Sequence, residues 1–381
     1  MGTTFHASPD VVVIGGGIIG CSIALRLAQA RLQVLVIDRG EPGMEASSAA
    51  AGMLAAQGET TEIDLFAELC LESRGLYAGF VEEIEALSGE RAGYRRDGEL
   101  LLAANEAERK SLEGIVEAQS RAGLAIERLA RKELEARAPG LAPEVETGVF
   151  IPGDHTVNNE KLMQLLVEAA RRSGVRFSPH TIAAGFETSN GRAVSVQVRS
   201  SSSLSTATEP VPASHFVLAA GVWSGELGAG LGLDLRMEPC CGQLIEFESP
   251  HPLPFVLRVG HHYLVPRDGN RVVAGTTAEY VGFEKRVTAE GLAAVIGGVG
   301  RFAPWIGQAR FLRAWAGLRP DTADHFPLLG LAEWPNLVFA TGHFRNGILL
   351  APVTARIIAD LVLTGKTTAS VGAYRPSRFS D

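Results

Sequence analysis

The first forty residues alternate between short apolar runs and one amphipathic stretch. The run VVVIG (11–15) is typical of a buried strand, IIGCSIALRLAQA (18–30) of an amphipathic helix, and QVLVIDRG (33–40) of a second buried strand. This order predicts a βαβ unit of the Rossmann type, in which the two strands are parallel and the helix covers one face.

Patterns of the same kind return later in the chain. Residues 159–177 have a helical period, 215–221 and 336–342 are apolar strands, and a final helix is predicted near 351–365. These pieces indicate that an α/β domain is resumed in the middle and at the end of the chain.

The intervening segments have a different pattern. Residues 106–123 predict an exposed helix, and 242–249, 261–268 and 271–277 predict strands separated by turns, which is typical of an antiparallel sheet. We therefore predict an α/β protein with two domains, a discontinuous Rossmann-like nucleotide-binding domain and an α+β substrate domain with a large antiparallel sheet. The predicted boundaries are 1–80, 150–225 and 315–381 for the first domain and 81–149 and 226–314 for the second.

Gly15, Gly17 and Gly20 form a G-x-G-x-x-G motif between the first strand and the first helix. In such a turn the first glycine allows the tight bend, the second lets the backbone approach a pyrophosphate, and the third allows close packing of helix and strand. Asp38 ends the second strand, where a carboxylate can accept hydrogen bonds from ribose hydroxyls. The alternative is a glycine-rich turn of another α/β protein. The motif leaves FAD and NAD open, whereas the carboxylate disfavours NADP.

Composition narrows the class of protein. The 35 basic and 43 acidic side chains give a net charge of −8, which argues against a nucleic-acid or anionic-membrane surface. The four cysteines have no zinc-ligand spacing, so no metal site is predicted. No apolar run approaches the roughly 18–20 residues that span a bilayer. A soluble, cytoplasmic protein is expected.

Six segments resemble, in the same order, the glycine oxidase/D-amino-acid oxidase group of FAD-dependent amine oxidoreductases, most closely the glycine oxidases of the thiamine-biosynthesis type. The resemblance runs nearly end to end. Its most specific segments are VVVIGGGIIG (11–20), SSAAAGML (47–54), LAAGVWSGELG (218–228), HxYLVPR (261–267), RAWAGLRPDTADHFPLLG (313–330) and GHFRNGILLAP (342–352).

The resemblance implies FAD as the cofactor and oxidative deamination as the reaction. A small amine would lose hydride to the flavin, the imine would hydrolyse, and dioxygen would reoxidise the flavin to give hydrogen peroxide. Glycine would give glyoxylate and ammonia. Relatives with covalent flavin carry a cysteine where this chain has residues 316–318, so we expect noncovalent FAD. The group's enzymes are often homotetramers, which implies an oligomer here.

Three residues match the group's substrate pocket, and a fourth is added from its position on a strand. Arg319 is the predicted clamp for the substrate carboxylate, a task that suits the planar fork of a guanidinium; the alternative is a surface arginine at a strand end. Tyr263 and Arg345 are predicted to line the same pocket, the alternatives being a cross-strand packing residue and a loop arginine bonded to backbone. His261 is added because alternation along the strand would put it on the face of Tyr263.

The resemblance also implies a set of cofactor contacts. The small-residue stretch 43–59 fits an extended cofactor, although an ordinary small-residue loop is the alternative, and Met53 equally fits a plain core position. The predicted cofactor residues are Gly15, Gly17, Ile18, Ile19, Gly20, Asp38, Arg39, Ser47, Ser48, Ala51, Gly52, Met53, Val175, Ala220, Gly221, Trp223, Arg319, His343, Arg345, Asn346, Gly347 and Ile348.

Three functions compete at this point. The first is an oxidase of glycine and other small amines such as sarcosine or D-alanine. The second is a D-amino-acid dehydrogenase that passes electrons to a quinone, and the third is a flavoprotein kept as a binding module. The segments around Arg319 and Arg345 favour the oxidase, because they carry the matched pocket residues.

Overall fold

The structure is a computed structural model that describes residues 8–60, 62–203 and 205–379. The α-helices in these ranges are α1 (Ile18–Gln29), α2 (Ala46–Ala49), α3 (Leu65–Ser88), α4 (Glu106–Arg121), α5 (Arg131–Arg137), α6 (Asn159–Arg172), α7 (Ser224–Ala229), α8 (Ala289–Gly300) and α9 (Gly347–Thr364). Short 3₁₀ turns lie at Gly221–Trp223, Pro304–Gln308, Gly372–Tyr374 and Pro376–Phe379.

The strands form two large and two small sheets. In chain order they are β1 (Val11–Ile14), β2 (Val34–Ile37), β3 (Met53–Leu54), β4 (Glu99–Ala103), β5 (Glu127–Ala130), β6 (Thr147–Ile151), β7 (His155–Thr156), β8 (Arg176–Ser178), β9 (Thr181–Ser189), β10 (Arg192–Ser200), β11 (Glu209–Pro212), β12 (His215–Leu218), β13 (Met237–Glu248), β14 (Val256–Val259), β15 (His262–Pro266), β16 (Arg271–Gly275), β17 (Arg310–Thr322), β18 (Leu328–Leu331) and β19 (Leu337–Thr341).

A six-stranded sheet carries the predicted βαβ unit. Its order is β18-β19-β12-β1-β2-β8, and all neighbours are parallel except β18 and β19. Both faces of this sheet are covered. Val11 and Val13 pack into a core with α1, α3, α6 and α9, whereas Val12 and Ile14 pack against the antiparallel sheet β11-β10-β9. The alternation of side chains along β1 explains why its sequence is continuously apolar.

An eight-stranded sheet forms the second large layer. Its order is β17-β13-β16-β15-β14-β4-β6-β5, and only β14 and β4 are parallel neighbours. One face packs on α5 and α8 through residues such as Leu134 and Val295. On the other face, Leu244, Tyr263 and Val265 pack with Ala51 and Met53 of the small-residue stretch. The two large sheets are therefore joined through that stretch.

The predicted mixed α/β class and the large, mainly antiparallel sheet are confirmed. The predicted helices and strands correspond to α1, α4, α6, α9 and to the seven strands β1, β2, β12, β13, β15, β16 and β19, with shifts at their ends. The 24-residue helix α3 and the three-stranded sheet were not predicted. The domain boundaries stay a prediction.

Helix α9 corrects the expectation that no run approaches the length that spans a bilayer, because its 18 residues are long and apolar enough to cross a membrane by length and composition, with a mean hydropathy of 1.7. However, 72% of it is buried inside the molecule, where it packs against α1 and α3. In this fold it is a core helix of the first layer.

Candidate active site

The glycine-rich turn brings three backbone segments into contact. Gly15 has φ +106°, and a Cβ there would lie 2.3 Å from the carbonyl oxygen of Ala219 in the segment after β12. A Cβ on Gly20 would lie 1.9 Å from the carbonyl oxygen of Gly15. Both positions therefore require glycine. The turn opens at the carboxyl end of the parallel strands, the edge where open α/β sheets bind ligands.

Asp38 ties the turn to the end of β2. The Gly16 N–H donates to Asp38 Oδ2 (2.7 Å) and the Gly40 N–H donates to Oδ1 (2.8 Å). Burial raises the pKa of the Asp38 carboxyl, while these two N–H groups act in the opposite direction. Each oxygen keeps a lone pair that can accept a further donor.

The small-residue stretch is held in place by its backbone carbonyls. The Asn159 amide donates to the carbonyls of Ser47 and Ser48, the Arg267 guanidinium donates to that of Ala51, and the Trp315 indole N–H donates to that of Ala49. The Ile18 N–H donates to Ser47 Oγ (2.9 Å), which links this stretch to the start of α1. These bonds lay the stretch between the two large sheets.

Arg319 lies on β17 and extends over its neighbour β13. A Cβ on Gly242 would lie 2.2 Å from Arg319 Nη2, so only glycine leaves room for the guanidinium. Arg319 Nη2 donates to Thr276 Oγ1 (2.7 Å) and Nη1 donates to the carbonyl of Thr277 (3.2 Å). Its Nη1 also lies 4.0 Å from Cys240 Sγ. The hydroxyl and the carbonyl that accept from Arg319 carry no charge.

Tyr263 covers the neighbouring strand β16 in a similar way. A Cβ on Gly275, its cross-strand partner, would lie 2.4 Å from the phenol oxygen of Tyr263. The ring is buried, with 5% of the residue exposed, and lines the same cavity as Arg319. The tyrosine therefore offers a flat aromatic wall to the cavity.

Arg345 is already paired with a carboxylate. Its Nη2 and Nε donate to Glu59 Oε1 (2.7 Å) and Oε2 (3.1 Å), a bidentate arrangement. Burial alone raises the pKa of Glu59, but the charges of Arg345 and Arg258, with a smaller contribution from Arg319, lower it to about 2. Glu59 is thus ionised at every working pH, and it holds the pKa of Arg345 above the ordinary arginine value.

Behind Glu59 lies a buried charged cluster. Arg258 Nη1 is 3.2 Å from Glu59 Oε1, and Arg258 Nε is 2.7 Å from Glu99 Oε1. Asp154 accepts from the Gly58 N–H (2.6 Å). Burial, the largest effect, raises the pKa of Glu99 to about 8, although Arg258 opposes it. A Cβ on Gly58 would lie 2.2 Å from Arg258 Nη2, so the backbone passes tightly over this cluster.

The cavity also receives the start of α9. Gly342 has φ +73°, and His343 is buried, with Nε2 3.0 Å from Thr354 Oγ1. Burial lowers the pKa of His343 to about 3, so the imidazole is neutral. Residues 342–348 all line the cavity, and the first turn of α9 contributes N–H groups and a positive dipole end to it.

One cavity joins all of these features. It encloses about 460 Å³ and reaches from Gly15 and Asp38 to Arg319, Tyr263 and Arg345. This volume is within the usual range for ligand pockets, roughly 300–1,000 Å³.

The chain resembles known proteins over almost its whole length. The family model described as "FAD dependent oxidoreductase" (DAO) matches residues 10–361. The chain belongs to the DAO family of FAD-dependent oxidoreductases. FAD is therefore the cofactor, and the protein is an enzyme, which confirms the family resemblance and the predicted cofactor.

Individual members of the DAO family give a consistent picture. The chain is 34% identical over 376 residues to a glycine oxidase of Geobacillus kaustophilus, with 97% of each protein covered. The crystal structure of glycine oxidase from that organism matches with a TM-score of 0.91 and 32% identity, over 97% of this chain and 98% of the other.

A third relative is longer. The chain is 35% identical over 375 residues to a bifunctional protein ThiO/ThiG of Trichormus variabilis, with 97% of this chain covered. The chain spans 55% of that relative's length.

The described residues fit FAD. The turn at Gly15 leaves no space for side chains, so backbone N–H groups at the start of α1 would hold the pyrophosphate, and Asp38 has free lone pairs for the ribose. The start of α9 would lie beside the isoalloxazine, where its dipole favours the negative charge of the reduced ring.

Most of the predicted site residues line this cavity. They are Gly15, Gly17, Ile18, Ile19, Asp38, Arg39, Ser47, Ala51, Gly52, Met53, Ala220, Gly221, Trp223, Tyr263, Arg319, His343, Arg345, Asn346, Gly347 and Ile348. Their individual roles stay predictions.

Four predicted residues lie elsewhere among the described residues. Gly20 packs behind the turn, Ser48 donates its hydroxyl to the Gly43 carbonyl, and Val175 is buried in the helical core. His261 is exposed in the turn between β14 and β15. Its placement corrects the expectation that it shares the face of Tyr263, because strand alternation begins only at His262.

Glu59 and the cluster behind it were not predicted from the sequence. A usable signal exists in two strands, since ELLLA (99–103) and VLRV (256–259) each carry one charged residue in an otherwise apolar run. Charged side chains at fully buried positions are rare unless they are paired. Glu99 and Arg258 could therefore have been predicted as partners.

Proposed function

We propose that this enzyme catalyses the oxidative deamination of glycine and other small amines, such as sarcosine and D-alanine, with dioxygen as the electron acceptor. One observation carries the proposal. Arg319 lies in the cavity with uncharged hydrogen-bond partners and, among the described residues, no carboxylate within ion-pair distance. Its positive charge is thus available for the carboxylate of an amino acid. The glycine oxidase names of two full-length relatives support the same activity.

The chain's own residues would bind and orient the substrate. The Arg319 guanidinium can hold a carboxylate with two parallel hydrogen bonds, which fixes the α-carbon of a small molecule that offers few other contacts. Tyr263, Leu244 and Met53 provide an apolar wall that excludes water. When bound, FAD accepts the hydride of the α-carbon and returns the electrons to dioxygen as hydrogen peroxide. The amine nitrogen loses a proton to solvent, and the imine hydrolyses to a 2-oxo acid and the free amine, which are glyoxylate and ammonia when the substrate is glycine.

A peroxide-release assay on the holoenzyme tests this function. Glycine, sarcosine and both alanine enantiomers are supplied in air, and we expect peroxide with glycine. Turnover that occurs only with an artificial electron acceptor would instead support a D-amino-acid dehydrogenase that reduces a quinone.

Replacing Arg319 tests its role directly. We expect Arg319→Ala to lower kcat/KM for glycine by roughly 30-fold to several thousand-fold, because removing one partner of a buried charge pair costs about 2–5 kcal/mol. Arg310→Ala is the matched control, since Arg310 lies on the same strand but is exposed and paired with Glu248. Equal kinetics of the Arg319 variant and this control would refute the role.

We also propose noncovalent FAD, a cytoplasmic location and a homo-oligomer. The four cysteines are free and buried, which supports a reducing compartment. No cysteine lies at 316–318, where covalent relatives attach flavin. Light scattering of the holoenzyme and release of yellow colour on acid precipitation measure the oligomer and the attachment.

A further inference from the structure

Of the arginines that line the cavity, Arg319 and Arg345 differ in their partners. Arg345 makes two hydrogen bonds to Glu59, at 2.7 and 3.1 Å, whereas Arg319 is bonded to the Thr276 hydroxyl and the Thr277 carbonyl. Glu59, Arg319 and Arg345 all line the cavity. The charges of these three groups sum to +1.

Glu59 is held in its position from behind. Arg258, which is 5% exposed, lies 3.2 Å from Glu59 and 2.7 Å from Glu99. If the Glu59 carboxylate moved away, two buried guanidinium groups would each lose a partner, which is strongly unfavourable. The backbone is fixed as well, because the N–H of Gly58 donates to the buried Asp154. Glu59 is therefore a permanent negative charge of the cavity wall.

This arrangement has a consequence for the substrate. A single carboxylate neutralises the net charge of +1 at Arg319. A second carboxylate on the same molecule would have to leave water and lie beside Glu59, with Arg345 already engaged. We propose that Glu59 is a charge-selectivity residue, which admits amines with one carboxylate and excludes those with two. The inference rests on the proposed function and names its substrate class more narrowly.

A purely structural role would give a different outcome. If Glu59 served only as a hydrogen-bond partner of Arg345 and Arg258, its replacement would weaken the binding of all substrates alike or destabilise the fold. If it sets charge selectivity, its replacement by glutamine would leave Arg345 as a second anion site and improve dicarboxylates selectively. The ratio between two matched ligands separates the two cases.

The test compares sarcosine, which is N-methylglycine, with iminodiacetate, which is N-carboxymethylglycine and adds one carboxylate at the same nitrogen. Peroxide release is measured for the wild-type holoenzyme and for Glu59→Gln. We expect the ratio of kcat/KM for iminodiacetate to that for sarcosine to rise by about tenfold or more in the variant. Glu72→Gln is the matched control, since Glu72 pairs with Arg356 at the surface, and its ratio should equal that of the wild type.

Binding provides a readout that is independent of turnover. Isothermal titration of the holoenzyme with acetate and malonate gives the preference for one carboxylate over two. We expect the wild type to prefer acetate, and Glu59→Gln to shift the preference towards malonate by about tenfold. An unchanged ratio in the variant would overturn the proposal.

The wild type alone can also refute the inference. If it binds malonate more tightly than acetate, or oxidises iminodiacetate as well as sarcosine, Glu59 does not exclude a second carboxylate, whether or not the variant folds. Failure of the proposed function has a different signature. In that case neither glycine nor sarcosine yields peroxide, while the acetate and malonate titrations still report the charge preference.

Discussion

At the scale of single residues, close backbone contacts decide which positions can carry a side chain. The added Cβ of Gly20 would meet the Gly15 carbonyl oxygen at 1.9 Å, and that of Gly15 would meet the Ala219 carbonyl oxygen at 2.3 Å. The obstacles are backbone atoms of three packed segments, so no flexible side chain can move aside. Relief requires that the turn, α1 or β12 shift.

We expect Gly20→Ala to lower the free energy of unfolding by about 1–3 kcal/mol and to reduce FAD retention, because overpacking displaces the turn at the cofactor. Gly75→Ala is the control, for which we expect the free energy of unfolding to rise. Gly75 lies inside α3 with nothing within 4 Å of its added Cβ, so alanine should stabilise the helix by about 0.5–1 kcal/mol. Urea unfolding and the flavin absorbance of purified protein measure both effects. Equal stability of the two variants would contradict the packing argument.

The same scale explains what the sequence could predict in the site. The glycines of the turn and Asp38 belong to a local motif, so their spacing in the sequence was sufficient to predict a nucleotide site. Arg319 was predicted only through the family resemblance. Glu59 lies 199 residues from Arg258 and 286 from Arg345 along the chain. The role of Glu59 depends on contacts that form only when β14 and the start of α9 come together in the fold. No local sequence pattern encodes those contacts.

At the scale of elements, the segment between β16 and α8 joins the two halves of the cavity. The Tyr280 hydroxyl donates to Asp321 Oδ2 (2.7 Å), the Phe283 ring stacks on Trp223 at 6.0 Å, and Lys285 is 2.6 Å from Glu45. Trp223 and Glu45 line the cavity. The segment therefore crosses the cavity wall and is held there by these side-chain contacts and by two backbone hydrogen bonds between Glu279 and Cys241.

We expect Tyr280→Phe to increase amide hydrogen exchange in residues 278–288, because the phenol bond is one of the contacts that anchor the segment. The free energy of unfolding should fall by no more than about 1.5 kcal/mol, since Tyr280 is half exposed. Tyr77→Phe is the control. The buried Tyr77 hydroxyl has no hydrogen-bond partner among the described residues, so its loss should leave exchange in this segment unchanged. Unaltered exchange in the Tyr280 variant would show that the other contacts suffice.

Elements with a strong apolar period were predictable, and those without one were not. The strands β1 and β2 are buried on both faces and are apolar throughout, and β12 and β19 are apolar except for His215 and Thr341 at their ends. In contrast, all nine residues of β9 are partly or fully exposed. Its pairing with β10 is therefore not announced by a run of apolar residues. Hydrophobic patterns in a sequence reflect the burial of side chains, and they are weak where few side chains are buried.

At the scale of the whole molecule, buried ionisable groups make stability depend on pH in two opposite directions. Burial lowers the pKa of His343 from 6.5 to about 3, so its stabilising contribution is present above pH 6.5 and is lost as the pH falls towards 3. Burial raises the pKa of Glu99 from 4.5 to about 8, so its contribution is present below pH 4.5 and is lost as the pH rises through 8. The two trends cancel between pH 4.5 and 6.5, which leaves Glu99 dominant above that interval.

Glutamine at position 99 should remove this alkaline loss, because its side chain has the shape and the neutral charge of the protonated glutamate that Arg258 and Asp154 surround. In the wild type we expect Glu99 to lower the free energy of unfolding as the pH rises from 6.5 to 8, by about 2 kcal/mol in total. We expect urea unfolding of Glu99→Gln to lack this decline, so that the variant gains on the wild type as the pH rises. Glu72→Gln, at the exposed pair with Arg356, should follow the wild-type profile. Parallel profiles of Glu99→Gln and the wild type would mean that Glu99 is already ionised at pH 6.5 and that Arg258 compensates its charge fully.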